Sequence, residues 1–203
     1  MARLQAEELA TRRAYDDHAP EWALTHDEPG FWREEMATFE AMLPPPAYVL
    51  EIGAGAGRDA ADLIAAGYRY TGIDFSEGML TLARQRLPRA CFRHMTVYDL
   101  PPLDAPALYE GFWAACSLLH IPRSRIGEAL RAIRKCLICG SPGFIAMKQG
   151  SGEGVSDAGQ RNMERFFAWW QREEFADALL RNGFEVASWH KAGSRLCFFV
   201  RAA

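Results

Sequence analysis

Two carboxylates and three glycines in this chain have the types and spacing to grip a ligand together. Glu51 opens the run Glu51-Ile52-Gly53-Ala54-Gly55-Ala56-Gly57-Arg58-Asp59, and Asp74 follows Gly53 by 21 positions, in Gly72-Ile73-Asp74-Phe75-Ser76. The apolar residues ahead of each, Val49-Leu50 and Gly72-Ile73, read as short buried strands. A strand, a tight glycine turn, a helix and an acid at the tip of a second strand form the adenosine-binding half of a βαβ unit. Gly53 and Gly55 remove side chains, with Ala54 between them, so that backbone can approach a ligand. Asp74 can accept from both hydroxyls of a ribose, and Glu51 suits an ammonium group. Phe75 and Met79 follow at once and could flank a base.

Position 58 narrows the cofactor. In the dinucleotide fingerprint a third glycine lies three residues after the second and lets the helix pack close to the strand. Arg58 occupies that position, and the pattern is Glu51-x-Gly-x-Gly-x-Gly instead. This loop resembles motif I of the class I S-adenosylmethionine-dependent methyltransferases, and Asp74 matches their motif II acid. The block Phe112-Trp113-Ala114-Ala115-Cys116-Ser117-Leu118-Leu119-His120-Ile121-Pro122-Arg123 is similar to one in a small bacterial subgroup with a SLLHxPR block, as are Met147-Lys148-Gln149-Gly150 and Arg165-Phe166-Phe167. One departure is Cys136-Leu-Ile-Cys139-Gly-Ser-Pro-Gly143, where that family normally has LKPGG.

The resemblance implies S-adenosylmethionine as cofactor, with S-adenosylhomocysteine as product. Glu51, Gly53, Ala54, Gly55, Asp74, Phe75, Met79 and Ser117 are then its expected contacts, together with Asp99 and Leu100 at the adenine. Asp99 has a second reading, as a turn-capping acid ahead of Leu100-Pro101-Pro102. Tyr15 and Trp22 resemble a segment that covers the cofactor in relatives, with Trp22 in place of a usual tyrosine.

Elements that would position these groups alternate along the chain. Residues 3–17 favour helix, and Trp32, Met36, Phe39 and Leu43 make an amphipathic helix over 31–43, ended by Pro44-Pro45-Pro46. Strands over 48–52, 69–73, 91–95, 111–116 and 143–148 then alternate with helices over 57–66, 77–87 and 123–137, and a helix over 171–182 precedes strands 184–190 and 195–201. Such alternation calls for a parallel sheet covered on both faces. The last two strands are separated by too few residues for a crossover helix, so they should pair antiparallel. The expected fold is α/β, Rossmann-like and doubly wound: a seven-stranded sheet of order 3-2-1-4-5-7-6 with an antiparallel last strand, as in the resembled family. A single domain is expected over 1–203, with a helical cap over 1–46, a cofactor-binding core over 47–203 and a substrate loop over 149–170.

Composition bounds the rest. With 203 residues, 49% of them hydrophobic, the chain can bury a substantial core and has little room for a second catalytic domain. A net charge of −3 leaves no electrostatic footprint for nucleic acid. Five scattered cysteines suit a reducing cytoplasm, and no apolar run reaches the ~18 residues a membrane span needs. Cys136 and Cys139 lack the further ligands a structural zinc would want, so no metal is expected.

On the acceptor side, His120 has two readings: a base with an ordinary pKa near ~6.5, or a helix-entry histidine bonded to a loop carbonyl. Tyr15 joins it as a catalytic candidate. Lys148 and Arg165 suit a substrate carboxylate or a solvated surface; Trp22 and Phe167 would line an apolar acceptor. No Asn/Asp-Pro-Pro-aromatic motif and no glutamate pair follows the fourth strand, which sets aside amino-methylating nucleic-acid enzymes and arginine methyltransferases as the resemblance defines them. What remains is methyl transfer to an oxygen, nitrogen or sulfur of a small molecule, by a monomer or homodimer. The alternatives are a tRNA or protein substrate, met by a basic face with Arg123, Arg125, Arg131, Arg134 and Lys135, and an S-adenosylmethionine-binding protein with other chemistry.

Overall fold

The computed structural model describes residues 4–101, 108–160 and 163–203; Pro102, at the expected turn after the third strand, and residues 161–162 of the expected substrate loop lie outside them. Three helices open the chain: α1 (Ala6–Asp17), α2 (Ala19–Thr25) and α3 (Arg33–Met42). Alternating elements follow: β1 (Tyr48–Ile52), α4 (Arg58–Ala65), β2 (Arg69–Asp74), α5 (Glu77–Arg86), β3 (Cys91–His94), β4 (Gly111–Ala115), α6 (Ile126–Lys135) and β5 (Pro142–Lys148). A hairpin, β6 (Glu153–Ser156) and β7 (Arg165–Ala168), comes next, then α7 (Arg172–Arg181), β8 (Phe184–Ala192) and β9 (Arg195–Ala202).

Seven strands form one sheet in the order β3-β2-β1-β4-β5-β9-β8, parallel except where β9 runs against both neighbours. Once β6 and β7 are set apart, this is the expected arrangement. The expected long loop over 149–170 is corrected, however: β6 and β7 pair antiparallel within it as a separate two-stranded sheet. Strands of only four residues, one of them with no aromatic, escape a reading tuned to longer strands.

Successive strand residues enter opposite cores, as a pleat requires. Leu50, Ala114, Ile145 and Phe198 pack on one face, against Ile126, Leu130 and Ile133 of α6 and Phe175 of α7. Val49, Trp113, Phe144 and Phe199 pack on the other, against Met36 and Phe39 of α3 and Leu63 of α4. Each large side chain so buried contributes about 1.5–3 kcal/mol. Burial on both faces explains why β1, β4 and β5 read as nearly unbroken apolar runs.

Helix α1 is tied across the strand tips rather than left on the surface. Asp16 accepts from Ser76 Oγ (2.7 Å) and from the Gly78 amide (3.0 Å). Thr11 Oγ1 accepts from the Phe166 amide at 2.9 Å, and the buried Glu8 pairs with Arg125 at 2.6 Å. These contacts join α1 to α5, β7 and the start of α6, so the N-terminal segment roofs the carboxyl ends of the sheet.

Candidate functional site

Under that roof lies a cavity of about 500 Å³, within the range of small-molecule sites. One end is built by the β1 and β2 tips. The amides of Gly53 and Ala54 both donate to the Ile73 carbonyl (2.8 and 3.0 Å), which pins the turn to β2. Gly53 and Gly55 hold φ of +77° and +53°. A Cβ on Gly53 would stand 2.3 Å from Ser117 Cβ, whereas at Gly55 nothing lies within 4 Å, which leaves open space for a ligand. Gly55 N–H donates to Asp74 Oδ2 and Ser76 N–H to Asp74 Oδ1, each at 2.8 Å. Each oxygen keeps a lone pair for a further donor. Burial nonetheless pushes the Asp74 carboxyl up to about 6, against the pull of those two amides.

Neighbouring acids are committed to partners. Glu51 accepts a short hydrogen bond from Tyr70, and burial with the nearby Asp59 raises its pKa well above the usual range. Asp59 pairs with Arg58 (2.6 Å) and accepts from Trp113 Nε1 (3.0 Å). The Arg58 side chain lies 4.8 Å over Phe31, within the cavity wall. Ser117 Oγ is buried with no hydrogen-bond partner, the donor set a polar ligand would complete. Just before it, Cys116 is a non-glycine residue at φ +56°, a strained conformation of the kind functional turns retain.

The structure brings Glu51, Gly53, Ala54, Gly55, Asp74, Phe75, Met79 and Ser117 to this cavity, as the sequence reading expects. Asp99 and Leu100 are not in its lining. Asp99 instead accepts from the Thr96 amide (3.0 Å) and hydroxyl (2.7 Å), the turn-capping alternative, and leaves Met95 to Tyr98 as the wall there.

At the opposite end a relay crosses three elements. His120 Nδ1 lies 2.7 Å from the Phe166 carbonyl, which only accepts, so the proton sits on Nδ1. Nε2 is then the acceptor, and Tyr15 Oη–H donates to it at 2.8 Å. Arg165 Nη1 approaches Tyr15 Oη at 3.4 Å. Burial, Arg165 and Lys148 lower the His120 pKa to about 3, while burial raises Tyr15 to about 12. An ordinary imidazole near ~6.5 is therefore corrected; the residue is neutral at physiological pH. His120 bonds a backbone carbonyl, as one reading had it, though that carbonyl belongs to strand β7 rather than to a loop, and it also meets Tyr15.

Lys148, Arg165, Trp22 and Phe167 line the same end. The solvated alternative for Arg165 is corrected: it is 3% exposed and donates to the Met163 and Asp157 carbonyls. Phe166 and Trp170, at the end of the expected substrate loop, are core. His26, Phe31, Trp32 and Arg195 are among the lining residues that escaped sequence reading. Trp32 showed only as part of a helix stripe, and Arg195 opens the last strand with no motif around it.

The basic face is spent internally. Arg123 pairs with Glu174 and caps the Trp169 carbonyl, and Arg125 pairs with Glu8 and Glu128. Arg131 meets Asn182, and Arg134 the Leu137 carbonyl. Cys136 is buried and Cys139 exposed, both free thiols. Among the described residues, no helix is long and apolar enough to cross a membrane.

Residues 50–141 match a family described as a methyltransferase domain. A demethylmenaquinone methyltransferase of Clavibacter sepedonicus is 32% identical over 135 residues, 62% of this chain. The chain spans about half (53%) of that relative's length. Among solved structures, a 1,6-didemethyltoxoflavin-N1-methyltransferase of Burkholderia thailandensis, with bound 1,6-didemethyltoxoflavin and S-adenosylhomocysteine, superposes with a TM-score of 0.78 at 22% identity, over 100% of this chain and 93% of that one. A magnesium protoporphyrin IX methyltransferase of Synechocystis PCC 6803, with bound S-adenosylmethionine, gives 0.73 at 13% identity over 100% of both chains.

Proposed function

We propose, from the match of residues 50–141 to a methyltransferase domain and from a fold shared with S-adenosylmethionine-dependent methyltransferases, that the chain moves a methyl group from S-adenosylmethionine to an oxygen, nitrogen or sulfur atom of a small molecule. The observation that carries this reading is the glycine end of the cavity. There an open-sided turn, a ribose-competent Asp74 and an unpartnered Ser117 hydroxyl face one space. The residues present fit the cofactor. Of the residues lining the cavity, Asp74 would hold the ribose hydroxyls, Phe75 and Met79 would flank the base beside Met95 to Tyr98, and Glu51 with the Gly53–Gly55 backbone would receive the amino-acid portion.

When bound, the cofactor supplies an already activated methyl group, so the protein's task is alignment and exclusion of water. Tyr15 and Trp22 cover the reacting end from α1 and α2, their rings edge-on at 5.3 Å. An acceptor proton cannot reach His120 Nε2 directly, because the Tyr15 hydroxyl occupies that lone pair. His120 is thus a positioning residue that fixes the Tyr15 oxygen, whose free lone pair faces the acceptor. With its pKa near 3, His120 is too weak a base to dominate the rate, and positioning is the larger contribution.

A small acceptor fits better than tRNA, because the arginines of the α6 face are already bonded within the chain. We place the protein in the cytoplasm as a monomer or homodimer, on the strength of its five free cysteines. Calorimetric titration with S-adenosylmethionine, S-adenosylhomocysteine and NAD tests the reading. Micromolar binding of both sulfur compounds and none of NAD is expected; binding of NAD alone would refute it.

A further inference from the structure

Resting on that assignment of the cofactor end, we propose that the other end of the cavity is a subsite for a flat, anionic acceptor, whose negative group is held by Lys148, Arg165 and Arg195. Cations and aromatic rings alternate there. Lys148 Nζ lies 4.1 Å over the Phe167 ring, and the Arg165 guanidinium lies 4.9 Å over Trp22. Arg195 lies 5.1 Å over Phe31 and 5.6 Å over Trp32. Phe167, Phe31 and Trp32 line the cavity beside these cations, apolar ring walls that suit a flat, ring-bearing guest.

Charge bookkeeping selects the guest's sign. Among the described residues, none of these three cations has a carboxylate within ion-pair distance, although the chain carries more acids than bases. Arg58, in the same cavity, is paired with Asp59. The acids of the glycine end are bound to Tyr70, Arg58, Trp113 and backbone amides, and none is paired with these three cations. At the rim, Asp27 pairs with Arg86, and Glu28 is exposed. Arg165 is buried, and Lys148 and Arg195 are half-buried, so a bound anion would offset charge that is partly withdrawn from water. The three cations lie close enough that Arg165 and Arg195, together with burial, lower the pKa of Lys148. Three cations without a carboxylate partner at one end ask for an acceptor of hydrogen bonds that bears negative charge.

The test uses matched pairs in protein saturated with S-adenosylhomocysteine. Benzoate, salicylate, 1-naphthoate, 2-naphthoate and quinoline-2-carboxylate are each titrated against the amide of the same ring system. At least one acid should bind tenfold or more tightly than its amide, the discrimination expected of charge-assisted hydrogen bonds. In Arg195→Gln and in Lys148→Gln that advantage should fall below about threefold, with amide and S-adenosylhomocysteine affinities unchanged. If no acid outbinds its amide, or the advantage survives both substitutions, the inference is overturned while the cofactor reading stands. If S-adenosylhomocysteine itself fails to bind in the first titration, the cofactor reading falls and takes the subsite with it.

Discussion

The glycine end of the cavity is assembled from two short stretches, residues 51–57 and 73–76, that meet because β1 and β2 are neighbours in register. The acceptor end draws Tyr15, Trp22, His120, Lys148, Arg165 and Arg195 from six separate elements or connections. At the first, backbone amides and carbonyls make most of the contacts, and side chains intrude little. At the second, every contact is between side chains or between a side chain and a distant carbonyl. A grip on an invariant ligand can be local and rigid, whereas a pocket whose occupant varies is made from parts that can be exchanged one at a time.

Substitution at the glycine end should therefore be the more damaging. In Gly53→Ala a methyl group meets Ser117 Cβ at 2.3 Å on a backbone of φ +77°, and neither neighbour can yield without moving β4 or β2. The expected result is a loss of S-adenosylhomocysteine affinity beyond 100-fold, with a lower melting temperature from ~1–2 kcal/mol of left-handed strain. Titration and thermal melting together check it. Wild-type affinity in this variant would mean that the turn does not face the ligand.

Asp74→Asn should follow, with affinity lower by about tenfold or more, since an amide accepts at only one atom. Its pH dependence has a definite sign. The carboxyl titrates at about 6, and the ionised form is the better acceptor, so cofactor affinity should rise as pH rises through 6. Stability of the ligand-free protein runs the other way. A carboxyl whose folded pKa is raised above its unfolded value stabilises the fold while protonated, and that contribution is lost between about pH 4 and 6 as pH rises. Binding isotherms and melts at pH 5 and 8 separate the two, and Asp74→Asn should flatten both.

Legibility in the sequence follows the same division. Glycine turns leave a signature because left-handed φ and close approach admit few residue types, and a ribose-gripping acid lies at a fixed distance along one βαβ unit. Asp99 shows the limit of that logic, for its spacing suits adenine contact and a capped turn equally, and only the Thr96 contacts decide. The acceptor end leaves no periodic trace. Arg195 is one basic residue at a strand start, and its approach to Lys148 depends on β5 and β9 pairing in the register Lys148↔Arg195. The β6–β7 hairpin hid because its strands are four residues each, and both of its aromatics, Phe166 and Phe167, serve the core.

Tyr15→Phe probes the acceptor end with a smaller effect. Removing the hydroxyl should slow methyl transfer about tenfold, at the low end of what acid–base groups contribute, and leave S-adenosylhomocysteine affinity within about threefold. In the wild type, a long-range proton–nitrogen spectrum should show the His120 ring neutral, with its proton on Nδ1, from pH 8 down to about 4. Protonation near 6.5 would break the relay as drawn.

The smallest effect should come from Ser117→Ala, and it is the most diagnostic of the two ends. Deleting a buried hydroxyl that has a protein partner costs about 0.5–1.5 kcal/mol, but Ser117 Oγ has none, so the ligand-free protein should melt unchanged or slightly higher. If the orphan hydroxyl exists to meet the cofactor, the cost appears only on binding, as a few-fold weaker affinity for S-adenosylhomocysteine. A fall in melting temperature with unchanged affinity would make Ser117 a structural element of the β4 tip. Unchanged affinity with unchanged melting would leave the hydroxyl outside the grip. The glycine end would then hold its ligand by backbone and the Glu51 and Asp74 carboxylates alone, a sharper contrast with the side-chain-built acceptor end than the one drawn above.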